Sequence, residues 1–88
     1  MYETINEKID CKAYFGTSFY DVTPDTFVWE DAEIKVKDVN YIHKLREGSK
    51  ILHSFSCTDG NRMFELRFDA SELKWYLNRI SRPLATAS

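Results

Sequence analysis

Two stretches in which apolar residues recur at every second position constrain the fold of this chain more than any other feature. They occupy residues 27–36 and 63–77, and each contains a tryptophan, Trp29 in the first and Trp75 in the second. Alternation of this kind buries one face of a β-strand and leaves the other face in water. The sequence therefore predicts two β-hairpins, each anchored in a hydrophobic core by its tryptophan.

Length limits the chain to one small domain. It has 88 residues, including two Trp, five Tyr and six Phe. These rings supply buried area that offsets chain entropy, so the domain is predicted to fold without a metal or a cofactor. We predict a single β domain over residues 1–80. Residues 81–88 are small and polar with one proline, and are predicted to form a disordered tail.

Further alternating segments surround the two hairpins. Residues 9–15, 50–58 and 62–68 each present one apolar face. Asp59-Gly60 joins the last two segments, and this pair is typical of a tight hairpin turn because glycine accepts the positive φ angles that match strand twist. Each segment is therefore predicted to be a half-buried strand of one antiparallel sheet.

The alternation that begins at Ile34 breaks at Lys37 and Asp38 and then resumes through Val39 to Leu45. One inserted residue has this effect, so we predict a β-bulge near Lys37 and Asp38 in a single long, bent strand. A turn of helix over residues 39–46 is the alternative. Bulges curl small sheets, and the predicted fold class is all-β, a single small antiparallel meander of five or six strands curled toward a barrel.

The segment that follows Phe68 fits two structures. Asp69-Ala-Ser-Glu72 resembles a helix capping box, and the apolar residues after it fall near helical spacing. However, Trp75 and Leu77 alternate, and only a short connection separates them from the preceding strand. The strand is the preferred prediction for Leu73 to Ile80, with residues 69–72 as the connection.

The predicted core consists of the apolar residues that alternate in phase within these strands. They are Trp29, Ile34, Val36, Phe55, Phe64, Leu66, Phe68, Trp75 and Leu77.

Cysteine usage and the N-terminal sequence bear on the compartment. Cys11 and Cys57 are too few for a disulfide framework and are predicted to be buried thiols. Residues 1–8 lack the basic and apolar regions of a secretory leader, and no run is long enough to span a bilayer. We therefore expect a cytoplasmic protein without a membrane partner.

Catalytic and metal chemistry find little support in the residue pattern. Cys11, His43, His53 and Cys57 are zinc-ligand types, but only His53 and Cys57 lie close in sequence, about 13 Å apart along one strand at about 3.3 Å per residue. Both cysteines alternate with core residues, where a thiol is a poor nucleophile. We predict no metal site and no catalytic residue, and a small enzyme is the least favoured function.

Charge is distributed unevenly along the chain. Residues 1–33 contain two basic and eight acidic residues, a net charge of −6, whereas residues 34–88 contain ten basic and six acidic residues, a net charge of +4. The overall charge is −2 and the isoelectric point about 5.6. An acidic protein is a poor general ligand for nucleic acid, so binding of an anionic partner would depend on the second half of the chain.

An unusually apolar loop favours a protein partner. Residues 16–26 contain Gly, Pro and several Ser or Thr, yet also Phe19, Tyr20 and Val22. Exposed apolar residues on a loop are typical of a contact surface. The favoured function is therefore a non-catalytic protein-interaction or accessory binding module, of undetermined oligomeric state, that uses these three residues.

Single-stranded nucleic-acid binding, linked to DNA repair, is the alternative function. Curled sheets of this size bind single strands through exposed aromatic rings flanked by basic residues. The aromatic residues in question are Tyr14, Tyr41 and Tyr76, and the basic residues are Lys35, Lys37, Arg67, Lys74 and Arg79.

The alternating residues also carry a resemblance to a known family. The motifs are Phe27-x-Trp29, Ile34-x-Val36-x-x-Val39, Phe64-Glu-Leu-x-Phe-Asp69 and Trp75-x-Leu77-x-Arg79-Ile80. Their order resembles that of a small bacterial family of β-domains of unknown function, over residues 8–80. The resemblance implies a β fold and, through relatives that accompany DNA-repair polymerases, a nucleic-acid or repair partner. It implies no catalytic residue, and Glu30-Asp31 stands where that family has a hairpin glycine.

Overall fold

The computed structural model describes residues 2–17 and 22–81, which form one antiparallel sheet of seven strands. In chain order these are β1 (Tyr2–Phe15), β2 (Val22–Trp29), β3 (Ala32–Lys35), β4 (Asp38–Glu47), β5 (Lys50–Thr58), β6 (Met63–Asp69) and β7 (Lys74–Ser81). Their order across the sheet is β3-β2-β1-β7-β6-β5-β4. The all-β prediction is confirmed, although the sheet has seven strands and five or six were predicted.

Strand β1 belongs to both halves of the sheet because it is long enough to change partner. Its first half, from Tyr2 to Ile9, pairs with β7, and its second half, from Asp10 to Phe15, pairs with β2. A bulge between Thr4 and Glu7 and a second irregularity after Lys12 interrupt these ladders. Bulges increase local twist, which lets one strand serve two halves of a curled sheet.

The chain passes from one edge of the sheet to the other between β3 and β4, with only Val36 and Lys37 in between. The backbone N–H of Val36 donates to the carbonyl oxygen of Asp25 on β2, and that of Lys37 donates to the carbonyl oxygen of Thr58 on β5, each at 2.8 Å. The two edges therefore approach each other at this crossing, but the sheet does not close into a barrel. The prediction of one long strand with a bulge at Lys37 and Asp38 is wrong, because the break separates two strands.

A bulge does occur in this part of the chain, at Asn40. Val39 lies opposite Cys57 and Tyr41 lies opposite Ser56, so Asn40 is the extra residue. The insertion reverses the phase of β4: Val39 packs against the core, whereas Tyr41 and the alternate residues after it face outward. Simple alternation from Val39 would place Tyr41 on the core face, and the bulge prevents this. The helical alternative for residues 39–46 is wrong, because these residues belong to β4.

All nine predicted core residues are buried between the curled halves of the sheet. The core also contains Ile9, Val22, Phe27, Cys57 and Ile80.

Aromatic contacts hold this core together. Phe27 of β2 meets Phe64 of β6 edge to face with ring centres 5.1 Å apart, which joins the two halves of the sheet. The ring centre of Trp75 lies 4.8 Å from that of Phe68 and 5.5 Å from that of Phe55. The tryptophan of the second predicted hairpin is thus central to the core.

The pattern that resembled a helix cap forms a turn instead. The Asp69 Oδ1 accepts hydrogen bonds from the backbone N–H groups of Ser71 and Glu72 at 2.9 and 3.2 Å. The turn ends at Leu73, whose φ of 55° lies in the left-handed region, and β7 begins at the next residue. The preferred strand prediction is confirmed, because a capping side chain stabilises an isolated turn as readily as a helix start.

The predicted Asp59-Gly60 turn is confirmed as well. Gly60 has a φ of 100°, and the Asp59 carboxylate accepts hydrogen bonds from the backbone N–H groups of Asn61 and Arg62. Ser81, placed in the tail by the sequence, is the last residue of β7, and the rest of that tail lies outside the described residues. Within the described part of the chain, no helix has the length and apolar character needed to cross a membrane.

Candidate functional site

A shallow groove of about 590 Å³ lies on the outer face of β4 to β7. We call it the outer groove; it is lined by Tyr41, His43, Leu45, Ser54, Ser56, Glu65, Arg67, Asn78 and Arg79.

The groove exists because small side chains lie between large ones. Ser54 and Ser56 on β5 form its floor, opposite His43 and Tyr41 respectively on β4. Neighbouring strands lie about 4.8 Å apart, so the walls on β4 and β6 are separated by about 10 Å. That width admits one extended chain or one planar ring.

Two stacked rings form the β4 wall. Tyr41 and His43 have ring centres 6.1 Å apart and planes inclined by 14°. Tyr41 is 61% exposed, although it belongs to a regular strand. Its outward position follows from the bulge at Asn40, because in a strand without a bulge Tyr41, two residues after the inward Val39, would point to the inner face.

A carboxylate organises the opposite wall. Glu65 accepts hydrogen bonds from Asn78 and Arg79, and its Oε1 lies 3.7 Å from a terminal nitrogen of Arg67. Burial would raise the pKa of Glu65, but the hydrogen bonds from Arg79 and Asn78 and the charges of Arg79 and Arg67 outweigh it and hold the pKa below its usual 4.5. Glu65 is therefore ionised at neutral pH, and the wall carries two guanidinium groups that share one carboxylate.

A second hollow of about 200 Å³ continues past Arg67 toward the turn after β6. Lys50 crosses it, with Nζ 2.9 Å from Glu72 and 3.6 Å from the buried Asp69. Lys74 also reaches Glu72, at 3.5 Å. Lys50 and Lys74 are thus both already paired with a carboxylate of the same chain.

The thiols and the buried imidazole are not poised for chemistry. Burial raises the pKa of Cys57 to about 12, and burial together with the nearby Cys57 raises that of Cys11 to about 12. Burial and the charge of Lys44 lower the pKa of His53, which lies between Phe55 and Phe68. At neutral pH both sulfurs are protonated and His53 is uncharged. Cys57 is buried as predicted, whereas Cys11 is only half-buried against the core.

The free edge of β4 borders the outer groove. Within the described residues, β4 has a strand on one side only, and just two of its ten residues, Val39 and Leu45, are half-buried. Tyr41 on the outer side and Ile42 on the inner side are the exposed apolar residues of this edge. An open edge presents unpaired backbone N–H and C=O groups to a partner.

The residues predicted to bind do not form one surface. Arg67 lines the outer groove, whereas Lys74 does not line it and pairs with Glu72 in the turn before β7. Lys35 lies on β3, at the other edge of the sheet, within 3.9 Å of Asp25. Lys37 lies at the crossing between the edges, where its side chain packs over Gly60.

The apolar loop predicted to bind a protein is only partly described. Val22 is 4% exposed and belongs to the core, so it does not contribute to an accessible surface. Phe19 and Tyr20 lie outside the described residues. Among the tyrosines proposed as stacking platforms, Tyr41 lines the groove, Tyr76 pairs with Arg67 on the adjoining strand, and Tyr14 lies on β1 opposite Thr23.

Sequence reasoning missed the groove residues that are neither basic nor aromatic. Ser54 and Ser56 fall on the polar face of their alternating segment, and nothing in the sequence pattern distinguishes Glu65 or Asn78 as groove residues. The available signal was the pair of alternating serines in an otherwise bulky strand, because small residues on a sheet face create a depression between larger neighbours.

No family model, curated protein or solved structure matches this chain. The site must therefore be interpreted from its own geometry.

Proposed function

We propose that this protein is a non-catalytic protein-interaction module that binds its partner in the outer groove. The observation that carries the proposal is Tyr41, a largely exposed tyrosine at the rim of a groove whose opposite wall presents Arg67 and Arg79. Tyrosine and arginine are enriched at protein interfaces because each combines apolar contact area with hydrogen bonding. Cytoplasmic location and the bacterial family resemblance remain predictions alongside it.

Internal neutralisation of charge favours a protein over a nucleic acid. Arg67 and Arg79 contact Glu65, and Lys50 and Lys74 contact Glu72. Affinity for a phosphate backbone depends on cations that can replace condensed counterions, and a cation shared with a carboxylate contributes less to that exchange. A polar peptide segment needs only hydrogen bonds and ring contacts, which the groove offers.

A matched pair of tyrosine variants tests the proposal. The tagged full chain, Tyr41→Ala and Tyr14→Ala are used to capture proteins from native lysate, with identification by mass spectrometry. Tyr14 is the control because it is 68% exposed, comparable to Tyr41, but lies outside the groove. We expect Tyr41→Ala to lose partners that wild type and Tyr14→Ala retain. Equal capture by all three proteins would contradict the groove as the binding site.

Single-stranded nucleic-acid binding is the second candidate function. The stacked pair of Tyr41 and His43 supports it. Arg67 also supports it, because its buried Nε has no hydrogen-bond partner among the described residues. It predicts affinity for a fluorescent oligonucleotide that falls steeply with salt and weakens in Arg67→Ala but not in the distant control Lys35→Ala. We expect little binding. Micromolar, salt-sensitive affinity at near-physiological ionic strength would reverse the order of the two candidates.

A further inference from the structure

Strand β4 leaves a full edge of the sheet without a partner. It is ten residues long, and among the described strands only β5 lies beside it. Its inner side presents Ile42, which is 52% exposed even though it lies opposite the fully buried Phe55. A long edge with an exposed apolar residue near its middle is a surface for strand pairing.

We propose that a second copy of this chain pairs with this edge, antiparallel, about a two-fold axis that runs perpendicular to the sheet at Ile42. The proposal goes beyond the binding of a partner in the outer groove and does not depend on it. Two-fold pairing is the commonest form of self-association, since one self-complementary surface satisfies both copies.

The charges on β4 select the register. A two-fold axis perpendicular to the sheet places one residue directly opposite itself, and its neighbours opposite each other in reverse order. An axis at Lys44 or Arg46 would oppose like charges, and an axis at Leu45 would oppose Lys44 to Arg46. Like charges directly opposite one another destabilise a strand pair. An axis at Ile42 opposes an exposed apolar residue to itself without such a clash; an axis at Tyr41 would also avoid like charges, but it would set the bulged Asn40 opposite Ile42.

The remaining contacts in this register are also complementary. Tyr41 of each copy lies opposite His43 of the other, which repeats across the interface the ring pairing already present within β4. Lys44 falls beside the bulge at Asn40, away from other cations. Because opposed residues share a face, the two outer grooves become neighbours on one continuous sheet.

Self-association is tested with the full chain and one matched control. Ile42→Lys places two ammonium groups opposite each other, and each substitution acts on both copies, so we expect the dimer dissociation constant to rise by at least about tenfold. Leu73→Lys is the control, because Leu73 is 55% exposed but lies in the turn before β7. Sedimentation equilibrium over a range of concentrations measures the constant, and circular dichroism checks the fold of each variant.

A wild-type chain that stays monomeric at the highest concentration would overturn the proposal and would leave the edge to a different extended segment. Equal weakening by Ile42→Lys and Leu73→Lys would also overturn it.

Cysteine cross-linking tests the register independently. In the proposed register Ile42→Cys places two thiols opposite each other across the axis, within the Cα separation that a disulfide requires. Oxidised glutathione supplies the oxidant, and the wild type accounts for any reaction of Cys11 and Cys57. We expect covalent dimer from Ile42→Cys and not from Lys44→Cys. The reverse result would contradict an axis at Ile42.

Discussion

Strands β6 and β4 contain the same kind of alternation, yet it has different consequences in the two. In β6, every second residue from Phe64 to Phe68 is at most 1% exposed. In β4, Ile42 points to the same inner side of the sheet and is half exposed. The inner side of β4 continues with Lys44 and Arg46, opposite His53 and Ile51, so the difference lies partly in sequence and partly in what surrounds each strand.

Strand β6 has neighbours on both sides and aromatic rings above it. It lies between β5 and β7. From the other half of the curled sheet, Phe27 contacts Phe64 with ring centres 5.1 Å apart, and Phe15 contacts Phe68 with ring centres 5.8 Å apart. Strand β4 has one neighbour. Burial in this fold therefore depends on position in the sheet order as well as on the alternation within a strand.

The largest expected difference concerns the core tryptophan. Trp75→Ala should lower the free energy of unfolding by about 3–5 kcal/mol, because it removes an indole that contacts Phe55 and Phe68 and leaves a cavity. Ile42→Ala, on the exposed edge, should cost less than about 1 kcal/mol. Urea unfolding midpoints measure both values. A loss below about 1 kcal/mol for Trp75→Ala would show that this part of the core is not packed as described.

A substitution in the wall of the outer groove should cause an intermediate loss of stability. Glu65→Gln should destabilise the fold by about 1–2 kcal/mol, because Arg67 and Arg79 would lose a charged acceptor that is largely shielded from water. Glu72→Gln is the matched control: it also removes a paired carboxylate, but an exposed one, where ion pairs contribute little. Chemical denaturation decides the comparison, and equal effects would mean that Glu65 does not organise the groove wall.

The free energy of unfolding should depend on pH through the buried His53. The pKa of His53 is lowered from its usual 6.5 by burial and by Lys44, so below that pH the unfolded chain takes up a proton that the folded chain resists. Stability should therefore fall as the pH drops below about 6.5 and should level off once the folded state is also protonated. His53→Gln should remove this slope, and His43→Gln should retain it because His53 remains.

Ionised Glu65 contributes in a separate, more acidic window. Its pKa is held below 4.5 in the folded state, so its stabilisation is present above that pH and is lost as the pH falls further and the carboxylate becomes protonated. Unfolding curves measured across both windows check the assignment. A stability profile that is flat from neutral pH down to about 4.5 would contradict the role given to His53.

The smallest effect concerns two hairpin turns. Glu30 and Asp31 both have positive φ angles, 53° and 62°, in the two-residue turn between β2 and β3. Asp31→Gly should stabilise the fold by about 0.5 kcal/mol, because glycine adopts this conformation without steric cost. Gly60→Ala should have the opposite sign, since Gly60 has a φ of 100°. Thermal unfolding measures both, and a destabilising Asp31→Gly would contradict the turn geometry.

The fold class, the nine core residues and the turn at Gly60 could all be predicted from the amino-acid sequence. These features are local: alternation decides which residues of a strand share a face, and a turn residue acts through its own φ angle. Local reasoning failed at Asp69, where the same capping pattern suits a helix start or a turn. The pairing of β7 with both β6 and β1 decided in favour of the turn.

The number of strands, the bulge at Asn40 and the outer groove depend on contacts between strands and could not be predicted from the sequence. The break after Val36 fits a bulge or a crossing equally well until the neighbours of each strand are known. The groove joins residues from four strands, from Tyr41 to Arg79, and its acidic centre, Glu65, gains its role from side chains on an adjacent strand. Periodicity describes one strand at a time, whereas a groove and an open edge depend on which strands lie side by side and in what register.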